Sequence, residues 1–346
     1  MRKIEILDCT LRDGGMCLED FALNEIHDLG FTKDDIDTFI QRQIKSNLDI
    51  IEIGSIELSE ENKEKFSIYT NIRQASSIIK KVQRNQQKFA ILYRGPDTPV
   101  SEIPDWNEGL CRFVRVIIRY SELIKSLDFC NELSRKGYKV FIQPMVTSRY
   151  KNEELDLLIE YANKMEAYAL YIVDSYGHMD RREINRIFKY YNNTLSKKIS
   201  IGFHGHNNIN LAYSNACYFI EISSQRNIVV DCTVTGMGQG AGNLQTELIG
   251  YYMVKNFNKE YNMTEVLECA EIIEKYNQSN LWGYSTLNLL PAIYKTAYKY
   301  SSFFRNNYKM SYAEIDKILQ VMPDEYRNRF TNNNASELLK NYKKSF

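Results

Sequence analysis

Ile4-Glu5-Ile6-Leu7-Asp8, close to the start of the chain, is the first of eight short runs rich in apolar residues. The other seven runs lie at residues 48–53, 88–93, 113–119, 138–144, 167–174, 199–204 and 228–233. Segments with helical spacing separate them; in the first, Ile36, Phe39, Ile40 and Ile44 fall at i, i+3, i+4 and i+8. Strands that alternate with helices predict an α/β fold, a closed (β/α)8 TIM barrel of parallel strands. A doubly wound open sheet is the alternative, but no GxGxxG turn follows the first run.

The last part of the chain differs from the rest, because it shows helical patterns only. Gly283 and Pro291 punctuate these patterns, and apolar residues such as Leu281 and Trp282 surround them. We therefore predict a TIM-barrel catalytic domain at residues 1–257 and a helical C-terminal extension at residues 258–346. The apolar residues of the extension lead us to expect a homo-oligomer or another protein contact.

Composition argues against several classes of partner. The 346 residues include 44 basic and 44 acidic side chains, mixed along the chain, so neither a nucleic acid nor a membrane surface is an expected partner. The seven cysteines lack CxxC spacing, which is typical of reduced thiols. No signal-peptide region begins the sequence, and no run reaches the ~18 apolar residues that a spanning helix needs. We expect a cytoplasmic protein that acts on small molecules.

Polar residues stand at the ends of the predicted strands, where a parallel barrel has its catalytic groups. His204 and His206 are two residues apart at the end of the seventh run, so both imidazoles face the same side. Taken alone, the pair is equally well explained as two polar residues at the rim. Asp13, after the first run, adds a carboxylate, and this donor set suits a divalent ion with open positions. We predict that these three residues bind Mn²⁺, with Mg²⁺, Co²⁺ or Zn²⁺ as alternatives.

A glycine-rich stretch at residues 236–243 ends in Asn243, which could add a neutral oxygen ligand to this metal. The competing interpretation is a turn residue, since the loop contains so much glycine. The stretch could also suggest a phosphate-binding loop, but the sequence has no GK[ST] motif. We interpret it as a turned or flexible loop at the rim of the barrel.

Arg12 and Glu52 are the two candidate catalytic residues. Arg12 adjoins Asp13 and could bind a substrate carboxylate or an enolate oxygen beside the metal. A salt bridge to Asp8, Glu52 or Asp174 is the competing interpretation, and both could hold together. Glu52 lies within an apolar run, where an unpaired charge would be costly to bury. It is therefore expected to orient Arg12 or to take part in proton transfer.

Three motifs together resemble those of the metal-dependent lyases and aldolases called the DRE-TIM or HMGL-like family. They are residues 7–14 (LDCTLRDG), residues 202–208 (GFHGHNN) with Leu211, Ala212, Asn215 and Ala216, and residues 231–238 (DCTVTGMG) with Gly242 and Asn243. The resemblance implies a TIM barrel with a helical extension. It also implies that Asp13, His204 and His206 hold the metal with Asn243 near them, that Arg12 stabilises an enolate, and that Glu52 is a supporting acid.

Within that family the sequence looks most like the 4-hydroxy-2-oxovalerate aldolases, which cleave 4-hydroxy-2-oxo acids to pyruvate and an aldehyde. Residues 300–303 (YSSF) resemble part of their helical tail, which supplies a tyrosine to the active site and contacts an aldehyde dehydrogenase. The resemblance thus implies a 2-oxo acid and an aldehyde as small-molecule partners, and a dehydrogenase as a protein partner. One feature departs from the pattern: those aldolases have a histidine base shortly after the RDG motif, where this chain has Gly15-Met16-Cys17.

The resemblance predicts reversible carbon–carbon cleavage through a metal-bound pyruvate enolate. The base that removes the 4-hydroxyl proton stays open among His27, Tyr298, Tyr300 and a metal-directed water. A Claisen-type synthase that joins acetyl-CoA to a 2-oxo acid, as isopropylmalate or citramalate synthases do, is one alternative. A non-catalytic barrel subunit is another, although the complete set of Arg12, Asp13 and both histidines argues against it.

Overall fold

Eight parallel strands close into a ring in the computed structural model, which describes residues 2–23, 29–59, 61–79, 87–277, 281–327 and 329–345. The strands are β1 (Ile4–Asp8), β2 (Ile50–Ile56), β3 (Ile68–Tyr69), β4 (Lys88–Tyr93), β5 (Phe113–Ile118), β6 (Lys139–Pro144), β7 (Ala169–Asp174), β8 (Ser200–Gly205) and β9 (Ile228–Cys232). Their order is β1-β9-β8-β7-β6-β5-β4-β2, and the pairing of β1 with β2 closes the ring. The short β3, which was not predicted, pairs with the last residues of β2 and adds nothing to the ring. The predicted TIM barrel is confirmed.

Helices follow the strands and cover the ring from outside. They are α1 (Thr10–Leu23), α2 (Lys33–Ser46), α3 (Ile72–Ile79), α4 (Leu123–Arg135), α5 (Asn152–Lys164), α6 (Arg181–Thr194), α7 (Ala212–Glu221), α8 (Thr246–Phe257) and α9 (Met263–Glu274). In α2, the Thr32 side chain accepts a hydrogen bond from the Asp35 backbone at the start, and Asn47 ends the helix in a left-handed conformation. The apolar stripe predicted on α2 is buried against the barrel.

Burial on both faces of the strands explains why they read as apolar runs. Every residue of β1, β2, β7, β8 and β9 is buried, as expected for a parallel sheet that has helices outside and side chains inside. The interior is filled by an apolar cluster that includes Leu7, Cys9, Phe141 and Tyr171. The polar residues that remain are therefore collected at the ends of the strands and in the upper layer of the barrel.

The C-terminal region is helical, as predicted, and after α9 its described helices are α10 (Thr286–Ile293), α11 (Lys299–Tyr308), α12 (Tyr312–Gln320), α13 (Asp324–Arg327) and α14 (Asn332–Ser345). They enclose a second apolar cluster that begins at Leu290, whereas α9 and Trp282 belong to the cluster around the barrel. The domain boundary at residue 257 stays a prediction. Hydrogen bonds from Trp282 Nε1 to the Thr235 carbonyl (3.0 Å) and from Asn208 Nδ2 to the Asn288 carbonyl (3.0 Å) attach this region to the barrel mouth.

None of the helices in the described part of the chain combines the length and the apolar character that crossing a membrane requires.

Candidate active site

Arg12 and Asp13 lie on the first turn of α1, not on an irregular segment after the strand. The helix begins two residues after β1, where the Asp8 carboxylate accepts a hydrogen bond from the Thr10 backbone (3.1 Å). Gly15 allows α1 to pack closely against the backbone at Phe66, because a Cβ at this position would be 1.8 Å from the Phe66 carbonyl oxygen. Both side chains are buried and line one cavity at the barrel mouth.

His204 and His206 lie at the end of β8 and line the same cavity. The Nε2 atom of His204 is 3.7 Å from Oδ2 of Asp13, and the two imidazole rings are 5.2 Å apart between centroids. Burial lowers the pKa of His206 to about 4, so the neutral ring keeps a nitrogen lone pair at neutral pH. The structure thus brings together the three side chains that the sequence singled out as metal ligands.

Asn243 reaches the site through a tight turn of the glycine-rich loop. Its backbone N–H donates to the Gly236 carbonyl (2.9 Å), and Gly242, at φ 77°, has no room for a Cβ, which would be 2.0 Å from the same oxygen. The side-chain Nδ2 donates to Oδ2 of Asp13 (3.2 Å) and to the Met237 carbonyl (3.1 Å). Its Oδ1 atom is buried and has no hydrogen-bond partner among the described residues. Asn243 is both a turn residue and a neighbour of the site.

These donors suit a divalent cation. Asp13 supplies a carboxylate, the histidines supply imidazole nitrogens, and the buried Oδ1 of Asn243 is an oxygen acceptor that a cation would satisfy. Cys9 also lies close, because its Sγ is 3.5 Å from Oδ2 of Asp13 and the sulfur, carboxylate and His204 nitrogen all lie within 4.8 Å of one another. Burial raises the pKa of the Cys9 thiol well above its usual range, so this side chain donates weakly to Asp13. From the sequence, Cys9 was interpreted only as packing.

A series of buried ion pairs inside the barrel holds the side chains of the site in place. Arg12 Nε donates to Oε2 of Glu52 (2.8 Å), and Arg115 Nη1 donates to the same oxygen (2.7 Å). Arg115 also pairs with Asp231, whose Oδ2 lies 3.0 Å from Nδ1 of His204. A carboxylate at Nδ1 keeps the proton on that nitrogen and leaves Nε2 of His204 as the acceptor that faces the site. Arg12 also pairs with Asp13, and it has no ion pair with Asp8 or Asp174 among the described contacts.

Arg115 and Asp231 were missed by the sequence reasoning, although the signal was present. Each is a charged residue inside an apolar strand, the feature that singled out Glu52. Burial opposes ionisation of Asp231, but the charge of Arg115 and the hydrogen bond with His204 outweigh it and hold the pKa of Asp231 below its usual range. Burial likewise opposes ionisation of Asp13, and the positive charge of Arg12 holds the pKa of Asp13 below its usual range. Both carboxylates are therefore anionic at neutral pH.

The cavity has a volume of about 400 Å³ and is lined by residues of both the barrel and the C-terminal region. The barrel residues that line it, besides those at the metal centre, are Met16, Leu92, Ile117, Gln143, Met145, Val173, Ser175, Tyr176, Asn208, Gln239 and Gly240. The C-terminal region contributes Thr296, Ala297, Tyr298, Lys299, Arg329 and Phe330. The extension therefore completes the site and does not merely cover a distant face of the barrel.

Of the two candidate tyrosines, both of which the structure describes, Tyr298 lines the cavity. Its hydroxyl donates to the Asp20 carboxylate on α1, which also pairs with Lys299. Tyr300 is fully buried in the second apolar cluster and donates to the Tyr326 carbonyl (2.8 Å), away from the cavity lining. His27 lies outside the described residues.

Two polar residues at strand ends also take no part in the cavity. Arg119 pairs with Asp97 and Glu122 at the surface, and the Asp174 carboxylate accepts backbone hydrogen bonds from His178 and Met179 (3.0 Å each).

Asp231→Asn is expected to weaken metal binding by ~10–100-fold, because the amide no longer holds the Nδ1–H tautomer of His204. It should also lower the free energy of unfolding by about 3 kcal/mol, since Arg115 loses a buried anionic partner. Titration calorimetry with Mn²⁺ and urea unfolding measure the two effects. Asp174→Asn is the matched control: it alters a buried strand-end carboxylate that touches no histidine ring at the centre. Equal metal affinity in Asp231→Asn and the wild type would contradict this role.

Comparisons with known proteins find similar proteins over most of the chain. Residues 3–273 match the family model described as HMGL-like. A 4-hydroxy-2-oxovalerate aldolase from Geobacillus genomosp. 3 is 26% identical over 285 residues, which cover 78% of this chain and 76% of that protein. An oxaloacetate decarboxylase from Mycobacterium tuberculosis is 25% identical over 248 residues, 70% of this chain and 68% of that protein. The crystal structure of the N-terminal domain of a candidate aldolase from Bacteroides vulgatus has a TM-score of 0.72 at 24% identity and covers 90% of this chain and 99% of that one.

Proposed function

The chain belongs to the HMGL-like family and is a metal-dependent lyase, and on this premise we propose that it cleaves the C3–C4 bond of a 4-hydroxy-2-oxo acid, reversibly, to pyruvate and an aldehyde. The observation that carries the proposal is the position of Arg12 and Asp13 beside His204 and His206 in one cavity. The name of the Geobacillus relative supports the same class of substrate.

Asp13, His204, His206 and Asn243 would hold the ion, and Mn²⁺ is the proposed one. When bound, a divalent ion supplies Lewis acidity toward the carboxylate and ketone oxygens of a 2-oxo acid. Asp231 keeps His204 in the tautomer that this role requires. Burial keeps His206 neutral, as the same role requires.

Arg12 is placed to stabilise the negative charge that grows on the ketone oxygen as pyruvate enolate forms. Glu52 holds its Nε and Asp13 pairs with its Nη1, while Nη2 has no hydrogen-bond partner within the described residues. The guanidinium is thus fixed at two of its three nitrogens and has donors left for substrate. Fixed donors that meet developing charge lower the barrier without reorganising during the reaction.

Tyr298 and Asp20 are proposed to accept the proton of the 4-hydroxyl group. Burial and the Asp20 carboxylate raise the pKa of Tyr298 well above its usual range, so the phenol is neutral and does not act as a phenolate. In our scheme the substrate hydroxyl gives its proton to Tyr298 Oη while the phenol proton passes to Asp20. The electrons of the broken O–H bond form the aldehyde carbonyl, and those of the C3–C4 bond form the enolate.

Tyr298→Phe is expected to lower kcat for 4-hydroxy-2-oxo acids by ~10²-fold or more, the usual contribution of a positioned acid or base. Metal content should stay unchanged, because Tyr298 lies on the C-terminal region and not among the proposed ligands. Tyr284→Phe, on an exposed tyrosine of the same region, is the matched control. Undiminished aldol cleavage in Tyr298→Phe would remove this residue from the mechanism.

Oxaloacetate decarboxylation is a second candidate, and one position favours it. Met16 lines the cavity shortly after the Arg12-Asp13 pair, where the resembling aldolases have a histidine base. Loss of CO₂ from oxaloacetate also breaks a C3–C4 bond and leaves pyruvate enolate, but no hydroxyl proton has to be removed. The Mycobacterium relative carries the name of this activity. Tyr298→Phe separates the candidates, since it should slow aldol cleavage and spare decarboxylation.

The test of function is pyruvate release from a series of 4-hydroxy-2-oxo acids and from oxaloacetate, with Mn²⁺ present. A protein-free Mn²⁺ blank is needed, because metal ions alone decarboxylate oxaloacetate. We expect pyruvate from at least one 4-hydroxy-2-oxo acid at a rate far above that of Arg12→Ala. Release of free CoA from acetyl-CoA and a 2-oxo acid, without pyruvate release from any hydroxy acid, would overturn the proposal in favour of a Claisen-type synthase.

A cytoplasmic location, a homo-oligomer and an aldehyde dehydrogenase partner at the C-terminal helices are further proposals. Exposed Ile293 and Val321 on or beside those helices support a protein contact there. Light scattering of the purified chain tests the oligomer directly.

A further inference from the structure

The part of the cavity wall formed by side chains of the strands β4 to β7 themselves is apolar except at one residue; Ser175 lies beyond the end of β7. Four successive strands each contribute one side chain to it: Leu92 from β4, Ile117 from β5, Gln143 from β6 and Val173 from β7. Leu92, Ile117 and Val173 can contact a substrate only through van der Waals packing. Gln143 is the one of the four that can donate or accept a hydrogen bond.

Gln143 is 5% exposed, and its Nε2 is buried without a hydrogen-bond partner in the part of the chain that the structure describes. Buried amide donors in native proteins almost always have a partner, since an unsatisfied donor destabilises the fold. Nothing in the wall around it calls for a polar residue, so packing alone does not explain a glutamine here. A ligand bound in the cavity would give the Gln143 amide the hydrogen-bond partner that it lacks.

The order of the strands in the ring indicates which part of a ligand would lie beside Gln143. β6 is four strands from β1 in either direction around the ring, so Gln143 lies opposite the helix that carries Arg12 and Asp13. A 2-oxo acid held by its carboxylate and ketone at the Arg12–Asp13 side extends its C3 and C4 atoms toward the opposite wall. The first oxygen along that path is the one on C4.

We infer that Gln143 Nε2 donates a hydrogen bond to the oxygen on C4 of the bound substrate and so selects substrates that carry an oxygen there. The inference rests on the proposed function, because it takes the 2-oxo acid end to be held at the metal centre. During cleavage this oxygen gives up its proton and becomes the aldehyde carbonyl. The Gln143 amide N–H then stabilises the negative charge that develops on this oxygen as its proton leaves.

Gln143→Met tests the inference, because it keeps an unbranched side chain of similar length and removes the donor. Turnover of 4-hydroxy-2-oxo acids is expected to fall ~10²-fold. Binding of pyruvate in the presence of Mn²⁺ should stay within about twofold, as pyruvate has no C4 oxygen. The thermal midpoint should stay equal or rise, because an unsatisfied buried amide has been removed. Gln43→Met, at a buried glutamine of α2 outside the cavity, is the matched control, with turnover unchanged.

A binding experiment keeps the inference separate from the proposed function. In an Arg12→Ala background, in which cleavage is expected to be ~10²–10³-fold slower, affinities for 4-hydroxy-2-oxopentanoate and for 2-oxopentanoate are compared by calorimetry. The hydroxylated acid should bind about tenfold more tightly, and Gln143→Met should abolish that preference. No preference, or one that survives Gln143→Met, overturns the inference. So does a variant that loses stability and pyruvate affinity together, which would make Gln143 structural. Failure of the wild type to release pyruvate from any hydroxy acid, with the preference intact, overturns the aldolase activity alone.

Discussion

Asp13→Ala should lose the metal and the activity together. Asp13 is the carboxylate on the Nε2 side of His204, at 3.7 Å, and it accepts a hydrogen bond from the Asn243 amide, whereas Asp231 contacts Nδ1 on the other side of the ring, so it does not replace Asp13. The loss of metal affinity should exceed the ~10–100-fold that removal of a supporting partner costs. Metal content by atomic emission and pyruvate release, measured on the same preparations, check this result.

Two further variants show whether the loss arises at the metal. His204→Ala combined with His206→Ala should also purify without the ion, because it removes both imidazoles and leaves Asp13 intact. Asp174→Ala alters a buried carboxylate at the end of the neighbouring strand and should keep the metal. A full complement of Mn²⁺ in either Asp13→Ala or the double histidine variant would refute the proposed centre.

Arg12→Ala should keep the metal and lose turnover, in contrast to its neighbour. Removing one fixed donor from a developing oxyanion costs ~10²–10³-fold in kcat, or about 2.7–4 kcal/mol. The metal should stay, because Arg12 donates no ligand and its positive charge competes with a cation for Asp13. Stopped assays of pyruvate release beside metal analysis distinguish this outcome from that of Asp13→Ala.

Arg12→Lys should recover little of this loss. The planar guanidinium is held by Glu52 at Nε and by Asp13 at Nη1 while it still faces the cavity, and a single ammonium group cannot make these contacts at once. Arg119→Ala is the control, since Arg119 also stands at a strand end but pairs with Asp97 and Glu122 at the surface. Normal turnover in Arg12→Ala would mean that the arginine is structural and that the enolate has lost its main protein contact.

The sequence by itself determined the barrel, the family and the class of enzyme. Each of the eight predicted runs overlaps one strand of the ring, because a strand buried on both faces has to be apolar along its whole length. The polar residues at strand ends were also visible, because a polar side chain that interrupts such a run has to lie at the mouth or have a partner. Asp13, His204 and His206 could be grouped for this reason before any contact was known.

Only the tertiary structure decided which of these groups meet. Asn243 contacts Asp13 across 230 residues of sequence, Arg115 joins Glu52 to Asp231, and Tyr298, in place of Tyr300, enters the cavity. Spacing along one strand tells which side chains share a face, but partners on different strands depend on how the ring closes and how each loop returns. The sequence could not show that the Gln143 amide lacks a hydrogen-bond partner either, because this depends on the side chains that four different strands contribute to the cavity wall.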